Sequence, residues 1–62
     1  MPRVIIEWFN TRSEEQRSEL ARRITQNFVD IVHCKPDDVT IRFDEYEPRM
    51  YARGGVMGHQ KR

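Results

Sequence analysis

The chain carries one cysteine, so no internal disulfide can brace it. Neither of its two histidines has partners at metal-ligand spacing. His33 stands beside Cys34, and His59 is alone far downstream. No metal and no cofactor are expected. Lysine is scarce, with Lys35 and Lys61 the only two among eleven cations. A net charge of +1 offers no excess for a polyanion such as nucleic acid. No apolar run is long enough to cross a bilayer, and no signal peptide is recognised. Repeats and low-complexity tracts are missing too. These absences read as a soluble cytoplasmic protein with a free thiol and neither nucleic-acid nor membrane partners.

At 62 residues the chain is read as one domain, 1–62. So short a chain buries only about 60% of its unfolded surface. Domains of this size usually rely on a disulfide, a metal or a partner chain. With the first two excluded, a symmetric oligomer is expected. Arginine is what the chain has in quantity, nine of its eleven cations. Its planar fork suits carboxylates and ion pairs between subunits.

The stretch "RVIIEWF", Arg3 to Phe9, is β-branched and aromatic and reads as a strand. Val4, Ile6 and Trp8 take one face, and Ile5, Glu7 and Phe9 the other. Both faces are largely apolar, so both are expected to be covered. Ser13 with Gln16 three residues on matches a capping box, and Glu14 and Glu15 suit a first helical turn. From there to about His33 the period is helical. Leu20, Ile24, Phe28, Ile31 and Val32 form the apolar stripe, and Arg17, Arg22, Arg23, Gln26 and Asp30 are expected in water. Pro36 is expected to break the helix.

"VTIRFDEY" then alternates cleanly, with Val39, Ile41 and Phe43 against Thr40, Arg42 and Asp44. The helix between the strands is long enough for a right-handed crossover to a parallel partner. The expectation is an α/β (α+β) protomer: a β-α-β unit, one helix on a two-stranded sheet, whose open face must meet another copy. Gly54-Gly55 followed by Val56 and Met57 predicts a short C-terminal hairpin.

Pro2 follows Met1, and a small second residue normally allows Met1 to be trimmed. The Pro2 nitrogen then becomes a free secondary amine; within a chain it is an amide without acid–base chemistry. An ordinary amine is protonated at pH 7, but burial and neighbouring cations both lower its pKa. A free amine tuned in this way can do acid–base chemistry in neutral solution.

In order and spacing the whole chain resembles the tautomerase superfamily, and within it the short 4-oxalocrotonate tautomerase type. The resemblance rests on Met-Pro opening a strand, on "TRSEEQ" opening the helix, on the proline loop before the second strand, and on Tyr51-Ala52-Arg53-Gly54-Gly55 in the tail. It implies a homohexamer built as three dimers, with a pocket shared between subunits. It also implies a cofactor-independent keto–enol tautomerase of small unsaturated 2-hydroxy or 2-oxo acids, with Pro2 as the general base. Arg12 matches an arginine that grips a substrate carboxylate, and Tyr51 an aromatic that makes the pocket apolar. Phe9 and Arg42 complete the candidate substrate-binding set. One residue departs from the pattern: Thr40 stands where the best-known relatives carry an arginine. Arg42 lies on the same strand face, about 6–7 Å further along. Arg49 and Arg53, beside Tyr51, are further candidates to replace the missing arginine. The departure calls the usual dicarboxylate substrate into question.

Structural roles stand beside these. Arg12 also suits a plain helix-start arginine, Tyr51 a packing residue, Arg42 a subunit salt bridge and Trp8 the core. His33 and His59 read as solvated, and Cys34 as inert. Two other functions compete. One is a member of the same fold that is non-catalytic or has turned to hydration or dehalogenation. The other is a ribbon-type DNA-binding dimer, which would need a helix where "VTIRFDEY" stands.

Overall fold

The structure is a computed structural model that describes residues 1–60. Strand β1 spans Arg3–Phe9 and pairs in parallel with β2, Thr40–Tyr46. The register runs from Arg3 opposite Thr40 to Phe9 opposite Tyr46. Helix α1, Glu14–Val32, makes the crossover between them. Short 3₁₀ turns at Pro36–Asp38 and Pro48–Met50 precede β2 and a terminal hairpin, β3 (Ala52–Arg53) with β4 (Val56–Met57). The architecture is the expected α+β one.

Local chemistry sets most boundaries. The Ser13 hydroxyl accepts from the Gln16 backbone N–H at 3.1 Å, and the Gln16 side chain accepts from the Ser13 N–H at 3.0 Å. Two of the helix's open donors are thereby satisfied. Gly54 and Gly55 both have positive φ, 60° and 80°, which a two-residue hairpin turn of the mirror-image type demands.

Helix α1 ends at Val32, within a residue of the expected end near His33, because His33 takes the left-handed conformation at φ 64° and donates its N–H to the Val29 carbonyl. Three readings are corrected. Ile31 and Val32, expected on the apolar stripe, lie 75% and 55% exposed, while Val29 is half-buried. Arg17 is not solvated but pairs with Glu45 across the helix–sheet interface. Strand β2 starts one residue late, since the Val39 N–H is held by Pro36 in the preceding turn.

One sheet face, with Val4, Ile6, Trp8, Ile41 and Phe43, is half-buried against Leu20, Ala21, Ile24 and Phe28 of α1. The other, with Arg3, Ile5, Glu7, Thr40 and Arg42, is exposed. No described residue is fully buried. The protomer exposes 5290 Å², against about 4,200 Å² for a compact chain of its mass. Its radius of gyration is 15.1 Å, against about 10.6 Å for a compact domain of this length. Ile5 stands 48% exposed in the middle of the open face.

Candidate active site

The expected site residues fall at two ends of one sheet. At the end where the strands begin, Pro2 is half-buried, and its carbonyl accepts from the Thr40 N–H at 3.1 Å and from Thr40 Oγ1 at 3.4 Å. Thr40 thus stands next to the proline. Met1 projects 88% exposed. On the open face a cleft of about 390 Å³ is lined by Arg3, Ile5, Thr40, Ile41 and Arg42. Arg42 sits opposite Ile5 and donates to Asp44 at 3.4 Å, a long contact between exposed side chains that holds it weakly. Its guanidinium remains available to the cleft.

Seven residues on, about 23 Å along the strand, stand the remaining candidates. The Phe9 ring meets Tyr46 and Tyr51 edge-on at 5.3 Å each, and those two tyrosines lie 6.1 Å apart. Phe9 and Tyr51 border a hollow of about 330 Å³ that Arg53, Val56, Met57 and Gly58 also line. Arg12, just beyond the end of β1, lies over the Trp8 ring at 5.3 Å, and its Nη1 donates to Thr11 Oγ1 at 2.8 Å. The protomer therefore brings Phe9 and Tyr51 into contact, with Arg12 at the same end of β1, and keeps that end apart from Pro2, Thr40 and Arg42. A third depression, beside Glu15, Glu19 and Arg23 on α1, reaches none of the candidates.

Two residues at the far end escaped the sequence reading. Tyr46 joins the aromatic group because the register sets it opposite Phe9. Glu45 stands opposite Trp8, on the face of Ile41 and Phe43. The signal for it was there: a carboxylate in an otherwise apolar period-two series.

Among the described residues no three acidic, histidine or cysteine side chains group to hold a metal. No helix among them is long and apolar enough to cross a membrane.

The family model described as tautomerase enzyme matches residues 2–61. The chain belongs to the tautomerase family. Its fold recurs in solved structures across nearly the whole length. A heterohexameric 4-oxalocrotonate tautomerase from Chloroflexus aurantiacus J-10-fl is 26% identical, with all of both chains covered and a TM-score of 0.86. A 4-oxalocrotonate tautomerase homologue is 24% identical over all of this chain and 98% of its own, with a TM-score of 0.91. A 4-oxalocrotonate tautomerase isozyme from Methylibium petroleiphilum is 23% identical over 92% of this chain and 89% of its own, at 0.82. No curated protein sequence matches the chain.

Proposed function

We propose that the chain, once Met1 is removed, is a cofactor-independent keto–enol tautomerase of small unsaturated 2-hydroxy or 2-oxo acids. The observation that carries this reading is the division of the candidates between two ends of an uncovered sheet. A proline and an arginine-lined cleft stand at one end, and an arginine with an aromatic wall at the other. About 23 Å separates them, too far for one small acid to touch both. A second copy laid against the open face closes that gap. The working form is then a cytoplasmic homo-oligomer, a hexamer of three dimers, in which 1–62 acts as one domain. The heterohexameric state of the Chloroflexus enzyme supports that assembly.

In this reading the Pro2 nitrogen accepts the proton of the 2-hydroxy group. The electrons of the O–H bond become the C=O bond, and the enol double bond takes the proton back at carbon. The base leaves the cycle unchanged. Arg42 in the adjoining cleft faces the oxygen that gains charge. Arg12 grips the carboxylate, and Phe9 and Tyr51 exclude water.

Thr40 beside Pro2 favours a second reading, a divergent or inactive member of the family. The decisive measurements are an intact mass and an NMR titration of the isotope-labelled Pro2 nitrogen. A chain beginning at Pro2, with a nitrogen unprotonated in neutral buffer and turnover of phenylenolpyruvate or 2-hydroxymuconate, supports the first reading. A retained Met1 with no turnover across a panel of enols establishes the second.

A further inference from the structure

We infer that Trp8, Glu45 and Arg17 form a positioning platform that holds the Arg12 guanidinium open to a carboxylate. The inference rests on the proposed role of Arg12 and identifies what prepares it. Trp8 Nε1 donates to Glu45 Oε2 at 2.7 Å, which fixes the rotation of the indole. The same carboxylate accepts from Arg17 Nη1 at 3.1 and 3.2 Å. Arg17 Nη1 also donates to the Arg12 carbonyl at 2.9 Å, so the loop's backbone is tied to the ion pair. The indole stacks on Phe43, with centroids 5.5 Å apart and 24° between the planes. Backbone and head group of Arg12 are thus both anchored.

The charge arrangement matters as much as the contacts. The Glu45 carboxylate is occupied by Trp8 and Arg17. It therefore does not compete for the Arg12 head group. A guanidinium resting on an aromatic face keeps its edge N–H groups, and Arg12 commits one of them, to Thr11. The rest form a fork able to grip a carboxylate with two hydrogen bonds.

Trp8 is the only tryptophan in the chain, so its fluorescence reports directly on the ring beneath Arg12. The test uses the full chain, freed of Met1 and in its native oligomer. It is titrated with glutarate, a dicarboxylate that cannot tautomerise, against sodium chloride of equal ionic strength. A saturable change in emission is expected with glutarate alone. Arg12→Ala abolishes it, and Glu45→Gln moves its midpoint up by ~5–10-fold. In turnover, Glu45→Gln raises KM by a similar factor and leaves kcat within about twofold, since it disturbs positioning rather than the proton transfer. Trp8→Phe keeps an aromatic face but removes the N–H together with one ring of the indole. Should Glu45→Gln fail to fold, the same rise in KM is read there.

The inference is overturned by a glutarate response that is missing or that survives Arg12→Ala. A Glu45→Gln enzyme with lowered kcat and unchanged KM overturns it as well. If Pro2 proves dispensable while the glutarate response stands and needs Arg12, the platform holds and the proline chemistry is lost. If turnover needs Pro2 but glutarate leaves the emission unchanged, the platform is lost and the tautomerase reading remains.

Discussion

The two ends of the sheet are built differently. Where the strands begin, the polar side-chain contacts are long: 3.4 Å from Thr40 to the Pro2 carbonyl and 3.4 Å from Arg42 to Asp44. Where they end, the contacts are short and shared. Trp8, Glu45 and Arg17 join at 2.7–3.2 Å, and three aromatic rings meet at 5.3–6.1 Å. The end proposed to react is left loose in the protomer, and the end proposed to grip is already ordered. In the proposed reading, rigidity and reactivity reside on opposite ends of one strand, and a second subunit would bring them together. That gives the exposed Ile5 face a functional meaning beyond stability.

The sharpest way to break this contrast is at the loose end. Pro2→Ala, with Met1 removed, should lower kcat by about 10²- to 10⁴-fold, the range typical of a lost general base. Its thermal midpoint should barely move, because the bonds to Thr40 use the residue's carbonyl, which alanine keeps. Protein isolated with Met1 attached should be equally inactive, since its Pro2 nitrogen is an amide. An unchanged kcat for Pro2→Ala in a progress-curve assay would mean that the loose end is loose for no catalytic reason.

At the ordered end the matching perturbation is Gly58→Ala. A Cβ there would lie 2.8 Å from the Pro48 carbonyl oxygen and 3.1 Å from Phe9 Cζ. The first neighbour is backbone and cannot swing aside, so the hairpin must shift away from the aromatic group. Overpacking of this kind costs about 1–3 kcal/mol. Calorimetry should show a lower thermal midpoint, and kinetics a raised KM. A variant as stable as the parent would show that the ordered end yields more readily than its contacts imply.

The same contrast explains what could be read from the sequence. The helix start was legible because Ser13 and Gln16 are three residues apart and satisfy each other locally. The hairpin was legible because paired glycines suit a turn that needs two positive φ values. The first strand followed from its β-branched and aromatic run, the second from alternation, and the crossover from helix length. The helix end was legible to within a residue: the helical period was read to about His33, and α1 stops at Val32 with His33 as its cap. The stripe at that end was not, since Ile31 and Val32 continue its apolar series yet are exposed, while Val29 is half-buried. The Trp8–Glu45–Arg17 group was hidden for a different reason. Trp8 and Glu45 stand 37 residues apart and Arg17 and Glu45 28 apart, so their meeting depends on register and crossover together. Of the candidate site, Phe9 with Tyr51 emerged as a contacting pair. The distance from Pro2 to Arg12 was invisible until the strand had a length.

The smallest expected effect lies away from both ends and serves as their control. Glu19, on the solvent side of α1, accepts from Arg23 at 2.6 Å and also from Arg22. The hydrogen bonds from Arg22 and then Arg23 lower its pKa from 4.5 to about 2. A folded-state value below the unfolded one means that this stabilisation is fully present above about pH 4.5 and is lost as pH falls through about 2. Exposed pairs of this kind contribute little and are screened by salt. Glu19→Gln should therefore flatten the acid side of the plot of thermal midpoint against pH, between about 4.5 and about 2, and more visibly at low ionic strength. Neither kcat nor the glutarate midpoint should follow. If either does, charge on the outer helix reaches the sheet ends, and the division between a loose reactive end and an ordered gripping end is not local to the sheet.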